Sequence, residues 1–94
     1  MTLERDLRPA AIHERLQAAL APTVLEVVDE SHRHAGHAGA RDGRGHFAVR
    51  ITSAAFAGLP PLARHRRVYA ALGTLMQTDI HALSIDACAP GEDA

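Results

Sequence analysis

From His46 to Ser53 the chain alternates without a break. Phe47, Val49 and Ile51 fall on one side, and His46, Ala48, Arg50 and Thr52 on the other. A period of two with one apolar face specifies a strand with one buried side. Such a strand needs neighbours to pair with and a layer to cover its apolar face. With 94 residues the chain makes one domain. A domain of this size buries roughly 60–70% of the surface its unfolded chain exposes. The aromatic residues are Phe47, Phe56 and Tyr69, so the core is expected to be aliphatic. An apolar fraction of 47% argues against disorder.

The rest of the pattern supplies the partners. Pro9 suits a first helical turn, and Ile12, Leu16 and Leu20 recur every four residues until Ala21-Pro22. Thr23 to Asp29 reads as a strand with Leu25 and Val27 on one face and Val24, Glu26 and Val28 on the other. A long polar loop follows, from Glu30 to about Gly43. Pro60-Pro61 opens a second helix expected to run to about Gln77, with Leu62, Val68, Tyr69, Leu72, Leu75 and Met76 as its apolar face. Ala82 to Cys88 reads as a third strand with Leu83, Ile85 and Ala87 inward. The tail from Pro90 to Ala94 is expected to fray. The predicted fold is α/β (α+β): a single domain in α-β-β-α-β order, ordered over about 8–89, with a three-stranded mixed sheet and helices packed on one face.

This topology gathers histidines. The first and second strands pair antiparallel around the loop, and the second and third, joined through a helix, run parallel. The first strand therefore ends where the other two begin. His32, His34 and His37 in the loop, His46 at the start of the second strand and His81 ahead of the third converge on one end of the sheet. Neutral imidazole is the commonest side-chain metal ligand, so this end is a candidate metal site. For any one histidine the plain alternative is a solvated loop residue or a half-buried ring bonded to a carbonyl. His46 is expected to act by orienting a ligand.

Charge and cysteine content narrow the classes of function. The formal charge of −1 gives no long-range attraction to nucleic acid or an acidic membrane. One cysteine, Cys88, allows no internal disulfide and fits a cytoplasmic setting. Cys88 lies about six residues of strand, roughly 20 Å, from His81 and is read as packing. No stretch reaches the ~18 apolar residues of a membrane helix, and Met1 to Asp6 lacks the pattern of a signal peptide. No nucleophile–base pair, paired carboxylates or phosphate-binding glycine loop points to an enzyme.

The segments "LEVVDESHRHAGH", "GHFAVRITSAAFAGL", "LARHRRVYAAL" and "IHALSI" occur in this order and cover nearly the whole chain. Together they resemble the BolA family. The resemblance implies a fold similar to the class II KH domain. It also implies partnership with a monothiol glutaredoxin around a bridging 2Fe–2S cluster, or, as described for bacterial members, transcriptional regulation through DNA. In cluster-binding members one ligand is the histidine before the last strand, which corresponds to His81. The other is a Cys or His of the loop. His34 corresponds best, with His32 and His37 as alternates. The glutaredoxin cysteine and glutathione would supply the thiolates, and the isolated chain would be a colourless monomer. A zinc site made of histidines alone is the weaker metal reading, because structural zinc sites usually use cysteine.

Arg64, His65, Arg66 and Arg67 form the basic run, the candidate nucleic-acid contact together with the loop from Gly58. On a helix these residues point several ways, and a solvated face explains such a run equally well. A KH module clamps the nucleic-acid backbone with Gly-x-x-Gly. Here "AGLPPLARH" has Gly58 and no second glycine, which weakens an RNA reading and leaves DNA as the alternative.

Overall fold

The computed structural model describes residues 3–31 and 43–92. After a 3-10 turn at Arg5–Leu7, helix α1 spans Arg8–Leu20, strand β1 Val24–Asp29 and strand β2 Gly45–Thr52. A second 3-10 turn, Ala54–Phe56, leads to α2 (Pro61–Leu72), the single-turn α3 (Leu75–Thr78) and strand β3 (Ile80–Cys88). The sheet order is β1-β2-β3. β1 pairs antiparallel with β2, from Val24 opposite Thr52 to Asp29 opposite Phe47. β3 pairs parallel with β2. The element order and mixed sheet agree with the expected fold.

The alternation in β2 translates directly into packing. Phe47, Val49 and Ile51 are buried together with Ile12, Leu16 and Leu20 of α1, Val68 and Leu72 of α2, and Phe56, Leu75 and Ile80. Burial of such side chains contributes about 1.5–3 kcal/mol each and dominates the favourable side of folding. The helices cover this face. On the other, Val24 and Val28 remain exposed. α1 stops at Ala21, which takes a left-handed φ of 44° and donates its N–H to the Gln17 carbonyl.

Three expectations need correction. The second helix does not run to Gln77. It breaks at Gly73, whose φ of 56° with ψ of −128° is a conformation glycine alone adopts readily. Arg15 of α1 donates to the Leu72 carbonyl at this break, at 3.0 Å. Leu62 and Tyr69, expected on the apolar face, are 61% and 42% exposed, because the turn of α2 that meets the sheet presents Val68 and Leu72 instead. β3 starts at Ile80, two residues before the expected Ala82. Glu92 Oε1 accepts the Ala89 N–H at 3.0 Å and carries a bidentate arginine contact.

Candidate metal-binding end of the sheet

At the end of β1 the short motif Asp29-Glu30-Ser31 folds back on β2. Asp29 Oδ1 accepts the Ser31 N–H at 2.9 Å, a local turn that aspartate side chains favour. Ser31 Oγ in turn accepts the His46 N–H at 3.0 Å, and the Glu30 N–H donates to the His46 carbonyl at 2.8 Å. The point where the histidine-rich loop leaves the sheet is thus fixed against His46. Gly45 makes this closeness possible. A Cβ there would stand 2.7 Å from Ser31 Oγ and 2.7 Å from the Phe47 ring.

The start of β3 carries a second device. Gly45 lies opposite Ile80 but His46 lies opposite Ala82, so His81 is an extra residue in the ladder. This is a β-bulge, which bends a strand and re-aims a side chain. Ile80 is buried, His81 and Ala82 are both exposed, and Leu83 packs again on the core. Plain alternation back from Leu83 and Ile85 would have turned His81 into the core. The bulge turns it outward. Its ring lies 5.1 Å, centroid to centroid, from that of His46, tilted by 49°. His46 is 9% exposed. Arg44 Nη2 lies 3.3 Å from His81 Nδ1.

A buried ion pair holds the base of this end. Arg8 Nε donates to Asp79 Oδ1 at 3.1 Å, with the two side chains 4% and 1% exposed. Asp79 also accepts the Leu3 N–H at 2.7 Å and the Thr78 hydroxyl at 2.6 Å. Burial opposes the charged carboxylate, but these three donors outweigh it and hold the Asp79 carboxyl below its ordinary range. Arg8 Nη2 reaches the Gly43 carbonyl at 2.7 Å, and the Asp79 carbonyl accepts the Gly45 N–H at 2.9 Å. One pair therefore ties α1, the returning end of the loop and the residue two before His81.

The structure brings His46 and His81 together. His32, His34 and His37 lie outside the described residues. Among the described residues no group of three or more His, Cys, Asp or Glu side chains is placed to hold a metal ion. Cys88 is at the opposite end of β3, opposite Thr52. Loss of hydration, and then the neighbouring Asp86, push its thiol up, which fits packing.

The basic run divides. Arg64 donates to the Leu59 carbonyl at 2.8 Å and the Ala87 carbonyl at 3.2 Å, and pairs with Glu92 at 2.5 and 2.8 Å. Its donors are directed into the protein's own backbone and C-terminal turn. Arg66 and Arg67 are exposed, and His65 is half-buried. Sequence reasoning missed Arg8, Asp79, Ser53 and Glu92 as anchors. Among the described residues no helix is long and apolar enough to cross a membrane.

The family model for BolA-like proteins matches residues 16–92. Human BolA-like protein 1 is 45% identical over 83 residues, covering 88% of this chain and 58% of the human protein. This chain thus spans little more than half the length of that relative. A protein of Escherichia coli (strain K12) named DNA-binding transcriptional regulator BolA is 45% identical over 74 residues, covering 79% of this chain and 68% of that protein. The solved BolA domain of SufE1 from Arabidopsis thaliana superposes with a TM-score of 0.81 at 39% identity, covering 98% of this chain and all of that one. The fold that carries the histidine end, and the match along most of its length, are those of its relatives: the chain belongs to the BolA family.

Proposed function

We propose that this chain is a non-enzymatic, cytoplasmic partner of a monothiol glutaredoxin and shares a bridging 2Fe–2S cluster with it. Its ligands are His81 and one loop histidine, His34 before His32 or His37. The observation that carries this reading is the bulge at His81. It turns an imidazole out of the sheet beside His46, at the end where the loop leaves and returns. Two imidazoles leave half of a four-ligand cluster to be completed from outside, by the glutaredoxin cysteine and glutathione. The cluster supplies redox and transfer chemistry. The chain's own part is to aim and space the imidazoles.

The experiment mixes the protein with a monothiol glutaredoxin, iron, sulfide and glutathione and records the visible spectrum. Colour is expected only with both proteins present. His81→Ala should weaken it with the fold intact, and His34→Ala should be the worst of the three loop substitutions. A stable coloured species formed by this chain alone, or an unchanged spectrum for His81→Ala, would overturn the proposal.

A second reading, DNA binding, is favoured by the name of the Escherichia coli relative. It would run through Gly58 to Arg67. With Arg64 engaged by Glu92, exposed Arg66 and Arg67 would carry the phosphate contacts. Two such contacts give a slope of log affinity against log salt of about −2. Arg66→Ala with Arg67→Ala should flatten it, whereas Arg64→Ala should act mainly on stability. Equal slopes for wild type and the double variant would exclude this surface.

A further inference from the structure

We infer that Arg44 gates His81: any metal taken by this imidazole must first displace the Arg44 guanidinium. The inference rests on the reading of His81 as a ligand and adds what controls access to it.

The argument is one of donors and acceptors. A guanidinium has only donors. The Arg44 Nη2 contact at 3.3 Å therefore uses the lone pair of His81 Nδ1. In a neutral ring whose Nδ1 accepts, the proton sits on Nε2. A metal bound at Nδ1 needs the lone pair that Arg44 uses. A metal bound at Nε2 moves the ring's one proton to Nδ1, which then faces Arg44 donor to donor. Both modes require Arg44 to leave.

The aim of Arg44 is built into the fold. Its neighbours on both sides are anchored on the buried pair, Gly43 through its carbonyl to Arg8 Nη2 and Gly45 through its N–H to the Asp79 carbonyl. Gly43 makes the turn with a φ of 81°. The backbone of Arg44 is held, and its side-chain contact with His81 lies at the exposed surface. An incoming thiolate-bound cluster is anionic, so the displaced guanidinium gains a partner of opposite charge in exchange. The gate thus favours an anionic, partner-delivered metal over a bare aqueous cation.

The test is a double-variant cycle with aqueous Cu2+ as the probe, which needs no glutaredoxin. Arg44→Ala should bind Cu2+ about threefold to tenfold more tightly than wild type, the worth of one such hydrogen bond. In a His81→Ala background the same substitution should have no effect, since additivity is lost only between residues that interact. Nitrogen NMR of the wild type should place the His81 proton on Nε2. An Nδ1–H ring, or equal Cu2+ affinity with and without Arg44, would overturn the gate. The cluster reading is judged separately. Colour with glutaredoxin but no coupling in the cycle removes the gate alone. Coupling in the cycle but no colour keeps the gate and removes the cluster.

Discussion

The two ends of the sheet are fastened by the same kinds of parts with the burial exchanged. At the His81 end the arginine–carboxylate pair Arg8–Asp79 is 4% and 1% exposed, and the serine latch, Ser31 on His46, is only half-buried. At the far end the pair Arg64–Glu92 is 13% and 46% exposed. The serine there, Ser53, is wholly buried, donating to the Leu20 carbonyl at 2.6 Å and accepting the Ala55 N–H at 3.1 Å. A buried charge pair is weak evidence for stability, because desolvation offsets attraction. What it gives is a fixed geometry that fails badly when halved. The difference teaches which end is organised for position. The rigid pair sits under the candidate ligand, and at the far end the buried hydroxyl simply closes a corner between α1, β2 and the Ala54–Phe56 turn.

The largest expected effect comes from breaking the buried pair. Asp79→Ala leaves Arg8 uncompensated and should lower stability by about 3–5 kcal/mol. Replacing both partners, Arg8→Met with Asp79→Leu, should recover part of that loss, because an apolar pair has no charge to desolvate. The His81 end should remain impaired, because Gly43 loses its tie to Arg8 while Gly45 keeps only the Asp79 backbone carbonyl. Urea unfolding and the spectrum of the glutaredoxin mixture separate the two. Recovery of both would show that the pair does not position the site.

Ser53→Ala comes next. It leaves the Leu20 carbonyl and the Ala55 N–H without their partner and should lower stability by about 1–3 kcal/mol. His81 should not notice. Ser31→Ala removes a half-buried latch and should lower stability by about 1 kcal/mol or less. It should disturb the cluster complex more than Ser53→Ala does, although it is the milder change in stability. The reverse ranking in the cluster assay would cancel the contrast between the two ends.

How much of this was legible follows from what each feature depends on. The alternation around Phe47 and the four-residue spacing of Ile12, Leu16 and Leu20 are local, and they fixed the buried faces. The meeting of His46 and His81 followed from strand directions alone. The outward turn of His81 did not, because a bulge is a property of pairing register between distant strands. Its one local trace is the unbroken run Asp79-Ile80-His81-Ala82, where neither simple phase keeps Ile80 and Leu83 both inside. Arg8 precedes Pro9 and reads as a solvated helix start, and Asp79 reads as connector. Only the packed fold joins residues 71 positions apart. Arg64 looked like one of three equal cations in a row, and its difference comes from Glu92, 28 residues on. Leu62 and Tyr69 are apolar in sequence, but the helix buries Val68 and Leu72 instead, a choice set by how it docks on the sheet.

The smallest effect is expected at Glu92, and pH resolves it. The Arg64 guanidinium, then the Ala89 N–H, hold the Glu92 carboxyl down at about 2, from an ordinary 4.5. A depressed carboxyl contributes stability that is fully present above its unfolded value and is lost as pH falls through the folded one. Glu92 should therefore stabilise the fold above pH 4.5 and lose that contribution between 4.5 and about 2. Asp79, also depressed, adds its own loss below 3.8. Glu92→Gln removes the first component and leaves the second. Urea midpoints followed from about pH 7 to about pH 2 should show the variant less stable at the start and the two curves converging on acidification. The difference should shrink with added salt, since an exposed pair is screened. A constant gap across the whole range would mean that Glu92 acts through shape alone. In that case Arg64 would owe its place to the Leu59 and Ala87 carbonyls, and the exposed pair would drop out of the comparison between the two ends.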